Sequence, residues 1–177
     1  MKKRISKEEY YMNIAKEVAC QATCFRAHHG AIIVKDDQII ATGYNGAPRK
    51  TKDCLERNNC IRNELKILSG QRYEICRSVH SEQNVIINAA RSGVSLLEGT
   101  MYLYSVKIDE KGNELPFDAC PCFICKKMII NSGIKYLIIH QKNGKLKKYE
   151  IKKWVNDWKK KDLFDDKEQY GIKITKK

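Results

Sequence analysis

The sequence predicts an α/β fold, a mixed sheet with helices on both faces. Three observations carry it. The apolar patterning follows the order αββ-αβ-αβ-α. Two of the helices, HSEQNVIINAARSG (residues 80–93) and CPCFICKKMIINSG (residues 120–133), carry their chemistry at the N-terminal end and stop at a glycine. The second of them lies between two β-rich runs, TMYLYSV and YLIIH, which implies a parallel, right-handed crossover.

Taken in order, Ser6-Lys7-Glu8-Glu9 reads as a capping box. Tyr11, Ile14, Ala15, Val18 and Ala19 then share one helical face, so a helix should run to about Ala22. AIIV (31–34) reads as a buried strand, Asp36-Asp37 as a turn and QIIATGY (38–44) as its hairpin partner. The loop GYNGAP (43–48) permits positive φ and close approach of backbone to a ligand, although such loops are more often plain turns. Residues 49–79 are polar and irregular, and a long loop in a compact domain needs something to hold it. The first signature helix turns Val85, Ile86, Ala89 and Ala90 to the core. TMYLYSV (100–106) is a strand, and residues 107–119 read as an inserted loop or small hairpin around Lys111-Gly112-Asn113. The second signature helix buries Phe123, Met128 and Ile129, and YLIIH (136–140) follows as a strand. Ile151, Trp154, Val155 and Trp158 mark a last amphipathic helix, and QYGIKITKK at the end either adds a short strand or frays.

The two signature helices hold one imidazole, two thiols and one carboxylate. Cys122 and Cys125 are one helical turn apart, so both sulfurs can face one ion. Pro121 suits the start of a helix, where free N–H groups and the positive end of the dipole favour thiolate. His80 and Glu82 straddle the start of the other helix. His80, Cys122 and Cys125 make three ligands for a catalytic Zn²⁺, which leaves the fourth position for water, and Glu82 remains as a proton carrier. H-x-E…P-C-x-x-C is the signature of zinc deaminases. Either half alone has a plainer reading: a C-x-x-C is often a redox pair or part of a structural zinc site, and a His near a Glu means little. The two halves together, each opening an amphipathic helix, point to a catalytic zinc site. Cys120 is close enough in sequence to replace Cys122 as ligand, but the helix start favours Cys122. His28, His29 and His140 read as ordinary strand residues, since adjacent side chains on a strand point to opposite faces.

At 177 residues the chain has the length of one domain with a real core. No stretch is long and apolar enough to span a membrane, and MKKRISKEEYY lacks the apolar region of a signal peptide, so a cytoplasmic setting is expected. There, eight cysteines suggest metal rather than disulfides. The formal charge of +13 invites a nucleic-acid partner. Residues 141–177 hold 13 Lys against 6 Asp or Glu, however, so about half the excess is a basic tail, most simply a solvated face. A basic surface also suits an anionic nucleotide.

The stretches TCFRAHHGAIIV, ATGYNGAP, SGQRYEICRSVHSEQNVI and PCFICKKMIINSGI resemble the deoxycytidylate (dCMP) deaminases of the cytidine deaminase-like superfamily. The resemblance covers residues 8 to about 140 and differs at Ser81, where the family usually has Ala. It implies a three-layer α/β/α fold with a central mixed five-stranded sheet, one deaminase domain over 1–177, and a basic C-terminal helix and tail from about 141. It implies Zn²⁺ on His80, Cys122 and Cys125, Glu82 as proton shuttle, and hydrolytic deamination of dCMP to dUMP and ammonia. Asn45 is then expected to hold the nucleotide, with Arg26 as a further contact. The family is often a homo-oligomer, a hexamer or dimer. Many members are activated by dCTP and inhibited by dTTP, with Mg²⁺, through a site here at Gly43, Tyr44, Asn45 and Gly46. Some carry a second, structural zinc on cysteines matching Cys24 and Cys54, and Cys60 and Cys76 are available to complete a four-Cys site. The spacing from His80 to Cys122 is longer than the family's, and the surplus falls in residues 107–119, beside the active site. Other cytosine nucleotides or nucleosides, a base in tRNA or single-stranded DNA, and a non-catalytic zinc module are the alternative readings.

Overall fold

The computed structural model describes residues 4–161. Helix α1 (Lys7–Ala19) opens on the expected capping box: Ser6 Oγ accepts from the Glu9 amide at 3.1 Å, and the Glu9 carboxylate accepts from the Ser6 amide at 2.9 Å. It stops at Ala19, three residues before the expected end, although Ala22 is buried just beyond. Strands β1 (Ala27–Lys35) and β2 (Gln38–Tyr44) form the hairpin. Asp36 and Asp37 turn it with φ of 49° and 62°, the paired positive values of a tight hairpin whose twist matches its strands. β1 begins four residues earlier than its apolar run suggests, because its first half is set by pairing with a later strand and not by its own hydrophobicity.

The 49–79 segment contains one helical turn, α2 (Ile61–Glu64), and a 3₁₀ turn at Tyr73–Ile75. There follow α3 (Ser81–Arg91), β3 (Thr100–Ile108), β4 (Glu114–Pro116), α4 (Phe123–Asn131), β5 (Tyr136–His140), β6 (Leu146–Glu150) and α5 (Ile151–Lys160). The sheet runs β2-β1-β3-β5-β6; β3 and β5 are parallel and the other neighbours antiparallel. The five-stranded path thus takes its last strand from LKKYE, which carries no apolar alternation. It lies at the edge, where exposed lysines discourage pairing with another chain. The candidate strand QYGIKITKK lies outside the described residues. β4 adds a sixth strand: it pairs with Val106, Lys107 and Ile108 of β3, beyond the point where β5 ends its pairing at Leu103. The 107–119 insert is therefore a hairpin.

Two clusters of side chains make three layers. On one face, Tyr11, Met12, Ala15 and Ala19 of α1 pack on Ile32, Val34, Tyr102, Tyr104 and Ile138. On the other, Val85 and Ala89 of α3, Ile129 of α4 and Trp154 of α5 pack on Ala31, Ile33, Met101, Leu103, Leu137 and Ile139. Two glycines allow this closeness. A Cβ on Gly30 would lie 2.2 Å from the Ala15 carbonyl oxygen of α1, and one on Gly43 would lie 2.4 Å from the Val85 amide nitrogen of α3. α3 and α4 therefore share one face of the sheet.

Candidate metal centre and substrate cavity

His80 is the N-cap of α3, extended at φ −69° and ψ 152°, with its backbone N–H donating to Gln83 Oε1 at 3.0 Å. Its place is fixed from both sides. The preceding Val79 is bridged to Gly46 by two backbone hydrogen bonds of 2.8 and 3.2 Å. Within α3, Asn84 and Asn88 donate to the Tyr44 and Thr42 carbonyls of β2, each at 2.7 Å. Cys122 is the N-cap of α4 and Cys125 sits in its first turn; both are buried. His80 Nδ1 lies 3.5 Å from Cys122 Sγ and 3.3 Å from Cys125 Sγ. These three side chains are the one His/Cys/Asp/Glu group among the described residues whose ligand atoms all lie within 4.8 Å of one another. Tetrahedral zinc with Zn–N about 2.0 Å and Zn–S about 2.3 Å requires N···S edges of roughly 3.5 Å, so the residues present fit that ion.

The protonation of the cluster fits as well. The hydrogen bond from Cys125, helped by His80, holds the Cys122 thiol down at about 5 against the cost of burial. Donating to that thiolate, with burial added, pushes Cys125 up. Burial works against the His80 imidazolium, but Cys122 and the Glu82 carboxylate outweigh it and raise its pKa. The protons held here are those that a binding cation displaces. Glu82, buried at 6% exposure, accepts a hydrogen bond from Ser81 Oγ at 3.1 Å.

A cavity of about 370 Å³ opens over the cluster, within the usual range for small-molecule sites. His80, Glu82 and Cys122 line it, as does Cys120, which does not join the ligand group. Asn45 and Arg26, the residues expected to contact a nucleotide, both line it. Asn45 also ties β1: Oδ1 accepts from the His29 amide at 2.8 Å and Nδ2 donates to the Ala27 carbonyl at 2.9 Å. Arg26 donates to the Ile67 carbonyl at 2.9 Å. Gly43 packs against α3, and Gly46 clasps Val79, so this loop positions His80 whatever else it binds.

Cys24, Cys54, Cys60 and Cys76 do not form a comparable group of ligand atoms. They are neighbours: burial raises the Cys24 pKa, and Cys76 and Cys60 add to it. Arg77 Nη1 stands 3.9 Å from Cys54 Sγ, and the Arg26 amide donates to Cys24 Sγ at 3.4 Å.

Several cavity residues were not among the expected site residues: His29, Ser105, Phe117, Tyr73, Arg62 and Lys107. Strand alternation was the signal available, since Ala31 and Ile33 face α3 and α4 and so, by twos, must His29. His29 is no member of the metal group, and His140 packs on Tyr104 on the other side. But His29 faces the cavity, with Nδ1 2.8 Å from Ser105 Oγ, and desolvation of the half-buried ring lowers its pKa to about 4. A histidine with a folded pKa below its unfolded value of about 6.5 takes up its proton on unfolding, so stability is lost as pH falls between these values. The shift corresponds to roughly 3 kcal/mol. Chemical denaturation from pH 7.5 to 4.5 should show this loss in the wild type and a flatter profile in His29→Gln. Equal slopes would mean that His29 is hydrated.

Three side chains able to hold one metal ion, with an adjacent carboxylate and set at paired helix starts on an α/β/α sheet, match the donor set of mononuclear metalloenzymes. Residues 5–141 match the family model of the cytidine and deoxycytidylate deaminase zinc-binding region, and the chain belongs to this family. It is 31% identical over 137 residues to a deoxycytidylate deaminase of Schizosaccharomyces pombe, covering 77% of this chain and 38% of that protein. It is 29% identical over 136 residues to the deoxycytidylate deaminase of Mycobacterium phage D29, covering 74% of this chain and 91% of that one. The chain thus spans about two fifths of its yeast relative and most of its phage relative. The crystal structure of a dCMP deaminase from cyanophage S-TIM5 superposes with a TM-score of 0.55 at 25% identity, over 78% of this chain and 86% of that one.

Proposed function

We propose that the protein is a zinc-dependent hydrolase that converts dCMP to dUMP and ammonia. The observation that carries this is the buried Glu82 carboxylate beside a His-Cys-Cys cluster that opens into a nucleotide-sized cavity. The named relatives support the choice of substrate.

A zinc ion on His80, Cys122 and Cys125 would lower the pKa of a water in its open position to about 7. The residues of the chain then have separate tasks. Glu82 takes the proton of the attacking water, delivers it to N3 of the cytosine, and carries a second proton to the amino nitrogen as it leaves. A C4–O bond forms and the C4–N bond breaks, so the products are a uracil base and ammonia. Asn45, at the side of the cavity, holds the nucleotide through the hydrogen-bonding capacity that β1 leaves over. Tyr73 meets the His80 ring edge-on at 4.7 Å between centroids and limits its rotation.

Four narrower readings belong with this one. A second, structural zinc on Cys24, Cys54, Cys60 and Cys76 is supported by their convergence and requires the sulfurs to close further. Metal analysis giving two zinc ions per chain supports it, and one removes it. Activation by dCTP and inhibition by dTTP, with Mg²⁺, would act through Gly43, Tyr44, Asn45 and Gly46, and assembly would be as a homo-oligomer. Among the described residues no helix is long and apolar enough to cross a membrane, and a thiolate metal site suits a reducing compartment such as the cytoplasm.

The test is loss of cytosine absorbance on mixing zinc-loaded protein with dCMP, with and without dCTP. Turnover is expected. Its absence from protein shown to hold zinc on His80, Cys122 and Cys125 would overturn the assignment of dCMP as substrate.

A further inference from the structure

We propose that the β3–β4 hairpin completes an anion subsite in which Lys107 and Arg62 hold the substrate's 5′-phosphate, so that this chain selects nucleotides over nucleosides. The proposal rests on the cytosine-deaminase reading and names the residues that set its substrate class.

Alternation along β3 places Leu103, Ser105 and Lys107 on the face of the sheet covered by α3 and α4, and all three line the cavity. They give the cavity a direction. Ser105 pairs with His29, on whose ring the charges of Glu82 and His80 act, so this level belongs to the metal end. Lys107 lies two residues, roughly 7 Å, further along the strand, opposite Ala27. That distance is about the reach of a deoxyribose between a base and its phosphate. Phe117, from the returning arm of the hairpin, spans the interval: its ring lies 6.4 Å from that of His29, and Lys107 Nζ stands 5.1 Å over it.

Arg62 is the second observation. It is 6% exposed and lines the same cavity. Its Nη2 donates to the Leu68 and Gln71 carbonyls at 2.9 and 2.8 Å, and its guanidinium lies 4.8 Å over the Tyr73 ring. Its Nε is buried and has no hydrogen-bond partner. A buried cationic donor without an acceptor is costly, and a phosphate oxygen supplies one. With Arg26, three cations border the cavity, whereas Glu82, at the metal end, is the one carboxylate among its described lining residues. Asp109 and Glu110 line a neighbouring opening, and the Asp109 carboxylate accepts from the Lys111 and Asn113 amides of the hairpin turn. A dianionic phosphate matches the charge of this end, and an uncharged nucleoside leaves it unmatched.

The test is titration calorimetry of zinc-loaded protein with dUMP and with 2′-deoxyuridine, which needs no turnover. The quantity read is the ratio of the two affinities. It should favour dUMP in the wild type and fall about tenfold in Lys107→Gln, the loss of one charge-assisted contact. Arg62→Lys, which keeps the charge but loses Nε, should also lower it. Lys111→Gln, at the hairpin turn, should change it less than twofold. Should Arg62→Lys fail to fold, Lys107→Gln alone decides. An unchanged ratio in Lys107→Gln, or an equal fall in Lys111→Gln, overturns the subsite. A falling ratio in a protein that does not deaminate dCMP would leave the subsite standing and remove the catalytic reading.

Discussion

Glu82→Ala should retain its zinc and lose about 10³-fold in turnover of dCMP. That is the scale of general acid–base catalysis, equivalent to about 4 kcal/mol of barrier. Glu82 is not in the ligand group, so metal content should match the wild type. The carboxylate is buried and fixed by Ser81, so no mobile side chain stands ready to replace it. Glu82→Gln separates shape from chemistry: it fills the same space and offers no base. Both variants should be equally slow, and a Glu82→Gln enzyme with near-normal turnover would show that the side chain only packs. Kinetics and metal analysis on the same preparation read both effects.

Cys125→Ala should lose the metal itself. Cys125 has no exposed surface, and its sulfur is one of three donors within 4.8 Å of one another. Two remaining ligands do not hold zinc against a chelator, so turnover should fall to background. The stability conferred by bound metal should go with it. At a free zinc concentration 1,000 times the dissociation constant this is about 4 kcal/mol. Added zinc should therefore raise the melting temperature of the wild type and leave that of Cys125→Ala nearly unchanged. The stoichiometry should fall by one ion per chain, from two to one if the four-Cys site is filled. A variant that still bound the catalytic zinc would show that Cys125 is not required as a ligand.

The candidate metal cluster and its neighbouring carboxylate were legible because their spacings are local. Glu82 follows His80 by two positions and Cys125 follows Cys122 by three, and each pair straddles or follows a helix start that sequence marks well. The walls of the cavity were not legible, because they are made by register. His29 meets Ser105, and Ala27 meets Lys107, only because β1 and β3 pair with that offset. Arg62 and Tyr73 come from a segment with almost no regular structure, so no period announces which side chains turn inward. β6 was hidden for a related reason: an edge strand of LKKYE owes its conformation to β5 and not to its own alternation. The insert was recognisable as surplus length, but its role in the cavity depended on where β5 leaves the side of β3 unpaired.

The β1–β3 ladder also governs the order in which the molecule can form. It joins Val34 to Thr100 and Ala27 to Lys107, so closing it encloses all of α3 and the whole of the 49–79 segment. Such long-range pairing is slow, because loop-closure entropy is lost before contacts are gained. His80 lies inside that enclosed loop, while Cys122 and Cys125 follow it in the chain. On the ribosome the thiols therefore emerge after the histidine they must meet. Zinc captured early by the two cysteines alone would have to wait for the central ladder before gaining its third ligand. Refolding rates should then depend weakly on zinc, and the metal should act mainly as a brake on unfolding.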